Sequence, residues 1–374
     1  MSDTIEIEEL RESIRQVLVD HRGDTWSIPD EQGRGLDRAL WEQMAGLGWL
    51  ALAIPENLGG LGLGMAHLAV LYEELGRELA SVPVLPTMMV AQAIIDHNGA
   101  EHGGDAGLLG AIADGSTLAA IALPGSHGLL SRGADGTVSG TLRHVLFADV
   151  ADLLAVPVDL GGSTGLALVP AGSAGVRITG RPLVDLTRSS ADIAFERVCL
   201  ADCTVLSLVD AAWASLEDHA GIGIASDAVG SAVAIFEMTL DYLKTREQFG
   251  RPIGSFQALK ARMADWKAKA EAMTALSRHA AAQVKAGRGD ASAAASGARA
   301  YAAQVGAALA GDAIQLHGGI GFTWEHPCHL FLKRAKLNEQ LFGSPAYHKE
   351  RVARLAFMDP EPASPGEPAL LQQA

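Results

Sequence analysis

Thr245-Arg246-Glu247-Gln248-Phe249-Gly250-Arg251-Pro252-Ile253-Gly254, continued by Ser255-Phe256-Gln257, decides how this chain is read. Before it, Ile222, Ala225, Val229, Val233, Phe236, Leu240 and Leu243 recur at steps of three or four. After it, Phe256, Leu259, Met263, Trp266, Ala270 and Met273 do the same. That spacing gives each flank one apolar helical stripe. The Gly-Arg-Pro-Ile-Gly corner ends the first helix, because glycine is favoured just past a helix end and proline cannot continue one. The incoming helix is expected to run for about 25 residues, ~37 Å at 1.5 Å per residue. Arg246 is then a fixed cation near its C-terminal end.

Working outward, residues 211–357 read as a helical bundle. A pattern from Ala291 to Leu316 is rich in alanine and glycine, so its helix must pack closely. A Gly-rich turn, His317-Gly318-Gly319-Ile320-Gly321-Phe322, and a basic stretch, Lys333-Arg334-Ala335-Lys336, follow. Ser344 is a candidate N-cap and Pro345 a first-turn residue of a last helix. The Pro-rich end, 358–374, reads as a disordered tail. Upstream, residues 116–210 lose helical periodicity and show short apolar runs at Ala119–Leu123, Leu153–Pro157, Leu166–Val169 and Ile193–Phe195. Asp135-Gly136 and the Asp159–Ser163 stretch are turn signals, and the segment reads as a small antiparallel β domain. Residues 1–115 read as a helical domain with patterns near 5–20, 36–48, 66–80, 86–98 and 103–114. The class is α+β, mainly α, without internal repeats.

Of 374 residues, 48% are hydrophobic, enough for a large core, and the formal charge is −15. That charge argues against nucleic acid or an anionic membrane as the main partner. No apolar run reaches about 18 residues, so no membrane span is expected. The acidic start lacks the basic region of a signal peptide. Cys199, Cys203 and Cys328 form neither a disulfide framework nor a zinc spacing. A cytoplasmic protein is expected.

Arg246 beside Phe249 and a Gly-rich corner can hold a phosphate and stack on a planar ring, or can be an ordinary surface arginine whose phenylalanine enters the core. Gln315 with Gly318 and Gly319 offers an amide and bare backbone to a close ligand, or is simply a tight helix–helix turn. Gly60-x-Gly62-x-Gly64 does not fit a dinucleotide fingerprint and reads as a loop. Twelve histidines assemble into no hydrolase, metalloprotease or phosphate-loop motif, and Ser126-His127 are adjacent, which seldom suits a nucleophile–base pair.

Together the 245–257 stretch and Gln315-Leu316-His317-Gly318-Gly319-Ile320-Gly321-Phe322 resemble the two C-terminal signatures of the acyl-CoA dehydrogenase family. Ile54-Pro55-Glu56, with Gly59-Gly60-Leu61-Gly62, resembles its N-terminal signature. The resemblance covers nearly the whole chain, in order. It implies an N-terminal helical domain, a middle β domain and a C-terminal four-helix bundle, assembled as a dimer of dimers with FAD at the dimer interface. It gives Arg246, Gln248, Phe249, Gln315, Gly318 and Gly319 a role at the adenosine and pyrophosphate half of a neighbour's FAD. The implied reaction is α,β-dehydrogenation of an acyl-CoA thioester, with an electron-transfer flavoprotein as acceptor.

The sequence departs from that pattern where the chemistry is done. Phe342, in Leu341-Phe342-Gly343-Ser344, stands where the family carries its catalytic glutamate, and cannot take a proton. The alternative base position on the first long bundle helix falls at Ala220, beside Gly221. Glu217, Asp218 and Glu339 are the nearby carboxylates that could substitute. The family's flavin loop reads Ala122-Leu123-Pro124-Gly125-Ser126-His127, and its ring-donor segment reads His144-Val145-Leu146, where leucine has no donor. Three readings follow. The chain completes the FAD site of a paralogous partner carrying the glutamate, in an α2β2 heterotetramer of the kind found in bacterial steroid catabolism. Or it is a self-sufficient homotetrameric flavoenzyme with an unusual base. Or it is a structural member that binds no flavin.

Overall fold

The computed structural model describes residues 6–23, 35–98, 106–286 and 290–357. The tail, 358–374, lies outside the described residues. Everything else is arranged around one helix, α7, Asp210–Thr245. It spans 36 residues, about 54 Å, against an expected 25. The difference arises because the apolar spacing continues upstream of Ile222 through Ala212, Leu216 and Ala220, all buried. From Asp218 to Ala232 every residue is buried, so this stretch of helix lies within the molecule on all sides. By length and composition α7 could cross a membrane, with a mean hydropathy of 1.3 over 18 residues, but 89% of that window is buried inside the molecule.

Among the described residues, five α-helices precede the strands: α1 (Ile7–Arg22), α2 (Arg38–Gly46), α3 (Met65–Arg77), α4 (Val84–Asn98) and α5 (Ala106–Ala113). Helix α3 lies directly on α7. A side chain added at Gly230 would meet the Glu73 carbonyl oxygen at 1.7 Å, and one at Gly76 would meet that of Asp227 at 2.2 Å. Glycine is required there because the two backbones touch. Helix α8 (Gln257–Ala286) and the alanine-rich α9 (Ala291–His317) complete the bundle's long rods, with α10 (Cys328–Asn338) and α11 (Pro345–Phe357) after them. Ser344 caps α11 as expected, its hydroxyl accepting from the Tyr347 amide at 3.3 Å.

Between α5 and α7 the chain forms β1 (Ala119–Ile121), the single turn α6 (Pro124–His127), β2 (Ser131–Arg132), β3 (Thr137–Leu146), β4 (Leu153–Asp159), β5 (Thr164–Pro170), β6 (Val176–Arg181), β7 (Ser190–Cys199) and β8 (Thr204–Leu206). Two four-stranded sheets, ordered β1-β4-β5-β8 and β2-β3-β7-β6, share one apolar core that includes Leu142, Val156, Val169, Ile193 and Phe195. The expected antiparallel domain needs one correction: β1 and β4 pair in parallel, Ala120 against Leu154. The chain leaves β1, builds β2 and β3 in the other sheet, and returns through β4 in its original direction. That crossover is what parallel neighbours require. The Asp135-Gly136 and Asp159–Ser163 turns form as expected, each with its aspartate accepting from the amide two residues on.

The three layers are tied by buried charge. Arg334, read from sequence as part of a basic stretch, is 1% exposed on α10. It donates to Asp185 at 2.7 Å and Thr187 at 2.6 Å, in the loop before β7, and to Asp227 of α7 at 2.8 Å. Arg188 pairs with the same Asp227 at 2.9 Å. Asn338 links Arg188 at 2.6 Å to the other Asp227 oxygen at 2.8 Å.

A second buried polar contact sets a pH dependence. The His219 ring on α7 meets the Tyr72 hydroxyl at 2.8 Å. Burial holds the tyrosine protonated, and its hydroxyl shares one hydrogen bond with the neutral imidazole. Burial pushes the His219 pKa down to about 3. The unfolded chain therefore binds this proton first. The contribution is present above about pH 6.5 and is lost as pH falls toward the folded value. Chemical denaturation at stepped pH should show His219→Gln flattening the acid limb by about 1.4 kcal/mol per pH unit between pH 6 and 4. An unchanged slope would remove His219 as a source of acid sensitivity.

Candidate functional site

Arg246 closes α7. Its amide donates to Tyr242 O at 2.8 Å and its carbonyl accepts from Ile253 at 2.8 Å. Between those anchors stands a two-residue hairpin, β9 (Glu247–Gln248) against β10 (Arg251–Pro252). Phe249 (φ 55°) and Gly250 (φ 75°) form its turn. Both central residues at positive φ is the turn that matches strand twist, and it suits glycine far better than phenylalanine. Here the strained position carries an aromatic ring that is 91% exposed. Arg251 stacks on Phe256 at 4.1 Å, and Phe249 meets Phe256 edge-on at 6.2 Å. Arg246 and Gln248 are exposed beside it.

Helix α9 ends at the same place. Tyr242, one turn before Arg246, stacks on His317 with ring centroids 4.6 Å apart. Gly318 ends the helix at φ 65°, and Gln315, Gly318 and Gly319 are all exposed. Asp312, one turn earlier, accepts from Trp266 of α8 at 2.6 Å and pairs with Arg262. The ends of α7 and α9 thus form one rigid, open arm, joined by apolar neighbours left in solvent: Phe322 (74% exposed) and Trp324 (52%).

The loop after α10 is the opposite case. Phe342 is buried at φ 52°, and its ring lies edge-on to His127 at 6.2 Å. Arg299 of α9, fully buried, donates to the carbonyls of Leu341 at 2.9 Å and Gly343 at 3.2 Å, and also to that of Asn338. Burial without a carboxylate in hydrogen-bond reach lowers its pKa to about 10. His348 donates to Phe342 O at 3.1 Å. Facing this loop, Ser126, His127, Arg143, His144, Leu146 and Ser190 of the β domain enclose a cavity of 360 Å³ against Leu337, Gln340, Leu341 and Phe342. Leu146 is buried and Ala220 is fully buried, with no polar side chain at either position.

The acyl-CoA dehydrogenase C-terminal domain model matches residues 215–357, and the N-terminal domain model matches residues 4–110. The chain belongs to the acyl-CoA dehydrogenase family. It is 34% identical over 343 residues to the acyl-CoA dehydrogenase IpdE2 of Mycobacterium tuberculosis, covering 90% of this chain and 92% of that one. A solved Tcur3481-Tcur3483 steroid ACAD variant superposes with a TM-score of 0.80 at 31% identity, over 94% of this chain and 97% of that one. The ChsE4-ChsE5 complex of Mycobacterium tuberculosis superposes at 0.81 with 25% identity, over 95% and 98%. The chain is accordingly an oxidoreductase of the acyl-CoA dehydrogenase type, with the helix–β–helix fold of that family.

As an acyl-CoA dehydrogenase the chain is uneven. The arm suits a nucleotide: an exposed cation, an exposed ring and bare glycine backbone share one surface. At the two positions where the resemblance expects a ring donor and a base, Leu146 offers no hydrogen bond and Phe342 no carboxylate. Of the substitute carboxylates, Asp218 is bound to Arg351 at 2.7 Å and Glu339 to Lys336 at 2.9 Å. Glu217, held by Tyr347 at 3.3 Å and Arg351 at 3.4 Å, alone lines a cavity against the β domain, beside Gly125 and Trp213. Ser126 and His127 form no dyad; the His127 ring accepts from the Leu123 amide at 3.1 Å through Nδ1. Sequence reasoning missed Arg299 and the Arg334 network. Their only sequence signal is an arginine inside an alanine run and one beside a lysine.

Proposed function

We propose that this chain is a subunit of a heteromeric acyl-CoA dehydrogenase and completes the FAD site of a paralogous partner that carries the catalytic glutamate. The observation that carries this reading is the contrast between the two half-sites of one chain. Arg246, Gln248, Phe249, Gln315, Gly318 and Gly319 are presented outward, while Leu146 and Phe342, at the positions the resemblance assigns to ring contacts and a base, are buried apolar residues. Arg246 would hold the pyrophosphate, Phe249 lie against the adenine, and the glycines admit close backbone. FAD, when bound, supplies the hydride acceptor for dehydrogenation of the acyl-CoA. The exposed Phe249, Phe322 and Trp324 fit a face covered by another subunit. The names of the related steroid ACAD and of the ChsE4-ChsE5 complex favour a heteromeric assembly and a steroid substrate. We further propose a division at residues 1–115, 116–210 and 211–357, a cytoplasmic location and an electron-transfer flavoprotein as acceptor.

The test is FAD per chain, by absorbance with mass in solution, for the chain alone and co-expressed with its nearest paralogue. Little flavin alone and one FAD per pair are expected. One FAD per chain in a lone homotetramer would replace this reading by the second, a self-sufficient enzyme. The position of Glu217 in the 460 Å³ cavity that also takes in Gly125, Asp210 and Trp213 favours it as the base in that case. A companion prediction concerns Phe342→Glu. Restoring the carboxylate without Leu146's missing donor should give no dehydrogenation by the chain alone in a dye-reduction assay. Any turnover gained by that single change would show that the ring pocket is still competent.

A further inference from the structure

The 360 Å³ cavity between the β domain and the Phe342 loop has a lining that the family's chemistry does not explain. Its polar residues are Ser126, His127, Arg143, His144, Ser190 and Gln340, and none is a carboxylate. In a chain of formal charge −15 that is an unusual concentration of donors. Arg143 stands exposed at the mouth, and its side chain makes no ion pair among the described residues. Ser190 is 2% exposed, and its hydroxyl has no hydrogen-bond partner in the structure. A buried unpaired hydroxyl is unfavourable, and a ligand oxygen would offset that cost. His127 stays neutral at physiological pH, since burial brings its pKa to about 4. Its Nδ1 accepts from an amide, so its hydrogen lies on Nε2 as a further donor. The rest of the wall is Leu146, Leu183, Leu337, Leu341 and Phe342.

The geometry points to a second ligand site: a pocket for an amphipathic monocarboxylate, its anionic head on Arg143 with the Ser190 hydroxyl and its apolar body against the leucines and Phe342. One guanidinium matches one carboxylate in charge and in planar fork geometry. The volume falls within the range of small-molecule pockets, and the mixture of an apolar wall with few convergent donors is their usual composition. The inference rests on the reading that flavin does not use this chain's own ring pocket.

Octanoate is the probe, titrated calorimetrically into the protein in its native assembly with FAD bound. One octanoate per copy of this chain is expected, with octanol at least tenfold weaker. Arg143→Ala should weaken octanoate at least tenfold and leave octanol unchanged, and Ser190→Ala should weaken octanoate several-fold. Both residues lie outside the cofactor arm, so FAD content serves as the control for folding. No saturable binding, equal affinity for octanoate and octanol, or an undiminished response in Arg143→Ala would overturn the assignment. Displacement of octanoate by inorganic phosphate alone at equal concentration would overturn it in favour of a simple anion hole. If FAD is one per pair and octanoate does not bind, this site fails while the proposed function stands. If FAD reaches one per chain and excludes octanoate, both fail.

Discussion

Arg334→Ala is expected to lower the stability of the chain by about 3–5 kcal/mol, the range for removing one partner from a buried ion pair. The reason lies in what is left behind. Arg334 and Arg188 balance Asp185 and Asp227, two charges of each sign with almost no solvent. Burial alone would lower the Arg334 pKa, but Asp227 and Asp185 outweigh it and hold the guanidinium above its ordinary value. Burial would likewise raise Asp227, and Arg188 and Arg334 reverse that and hold it below the usual carboxylate range. Without Arg334, the hydrogen bonds left to Asp185 among the described residues come from Thr187, through its amide at 2.9 Å and its hydroxyl at 2.5 Å. Because Arg334 also donates to Ala80 O at 3.2 Å, the loss would loosen the N-terminal helices, the β domain and the bundle together. The thermal midpoint of the isolated chain should fall by roughly 5 °C or more for a cooperative unit of this size. Adding Asp185→Leu to Arg334→Met should recover most of it, since an apolar pair of similar volume often replaces a buried ion pair without loss. A midpoint within 1 °C of wild type for Arg334→Ala would show that the layers are held by apolar packing alone.

That network also shows what a single sequence discloses. Helix α7 was legible because its apolar residues repeat over many turns, and only its start was misplaced. Upstream of Ile222 the pattern continues through Leu216 and Ala212, but with Glu217 and Asp218 between Leu216 and Ile222 it reads as amphipathic until the structure shows Asp218 buried on Arg351. The β domain's strands were legible from short apolar runs and their turns from Asp-Gly chemistry. The parallel β1–β4 pair was not, because pairing partners are set by where the chain returns and leave no local mark. At the candidate site, Phe249 and Gly250 carried both the turn and the arm in their sequence. Phe342 and Leu146 were informative as departures. Arg299 and Arg334 were illegible for one reason: burial of a cation depends on carbonyls and carboxylates far away in sequence, such as Leu341 and Asp185. Arg143 and Ser190 meet in one cavity only because β3 and β7 pair, Leu146 opposite Ser190.

Arg246→Ala is expected to weaken FAD binding by the assembled enzyme about 10- to 150-fold, the equivalent of losing one hydrogen bond to a charged group at about 1.5–3 kcal/mol. The argument begins with how little Arg246 does for its own chain. Its side chain is exposed and makes no ion pair among the described residues, while its backbone holds the end of α7 through Tyr242 and Ile253. Alanine keeps both backbone bonds, so the thermal midpoint of the chain alone should not move. The hairpin keeps its strained turn as well, because Phe249 and Gly250 are untouched. What is removed is a cation fixed at the tip of a 36-residue helix, a position that no flexible loop could hold as firmly. Arg246→Lys should restore part of the affinity, since an ammonium keeps the charge but lacks the planar fork that suits a pyrophosphate. Phe249→Ala should weaken binding by a comparable 1–3 kcal/mol if its ring stacks on the adenine. The reading is FAD retained through gel filtration and its apparent Kd by fluorescence, on the co-expressed complex. Affinity unchanged in Arg246→Ala would take Arg246 out of the site. Affinity lost equally in Arg246→Ala and Arg246→Lys would show that geometry decides there, with charge alone insufficient.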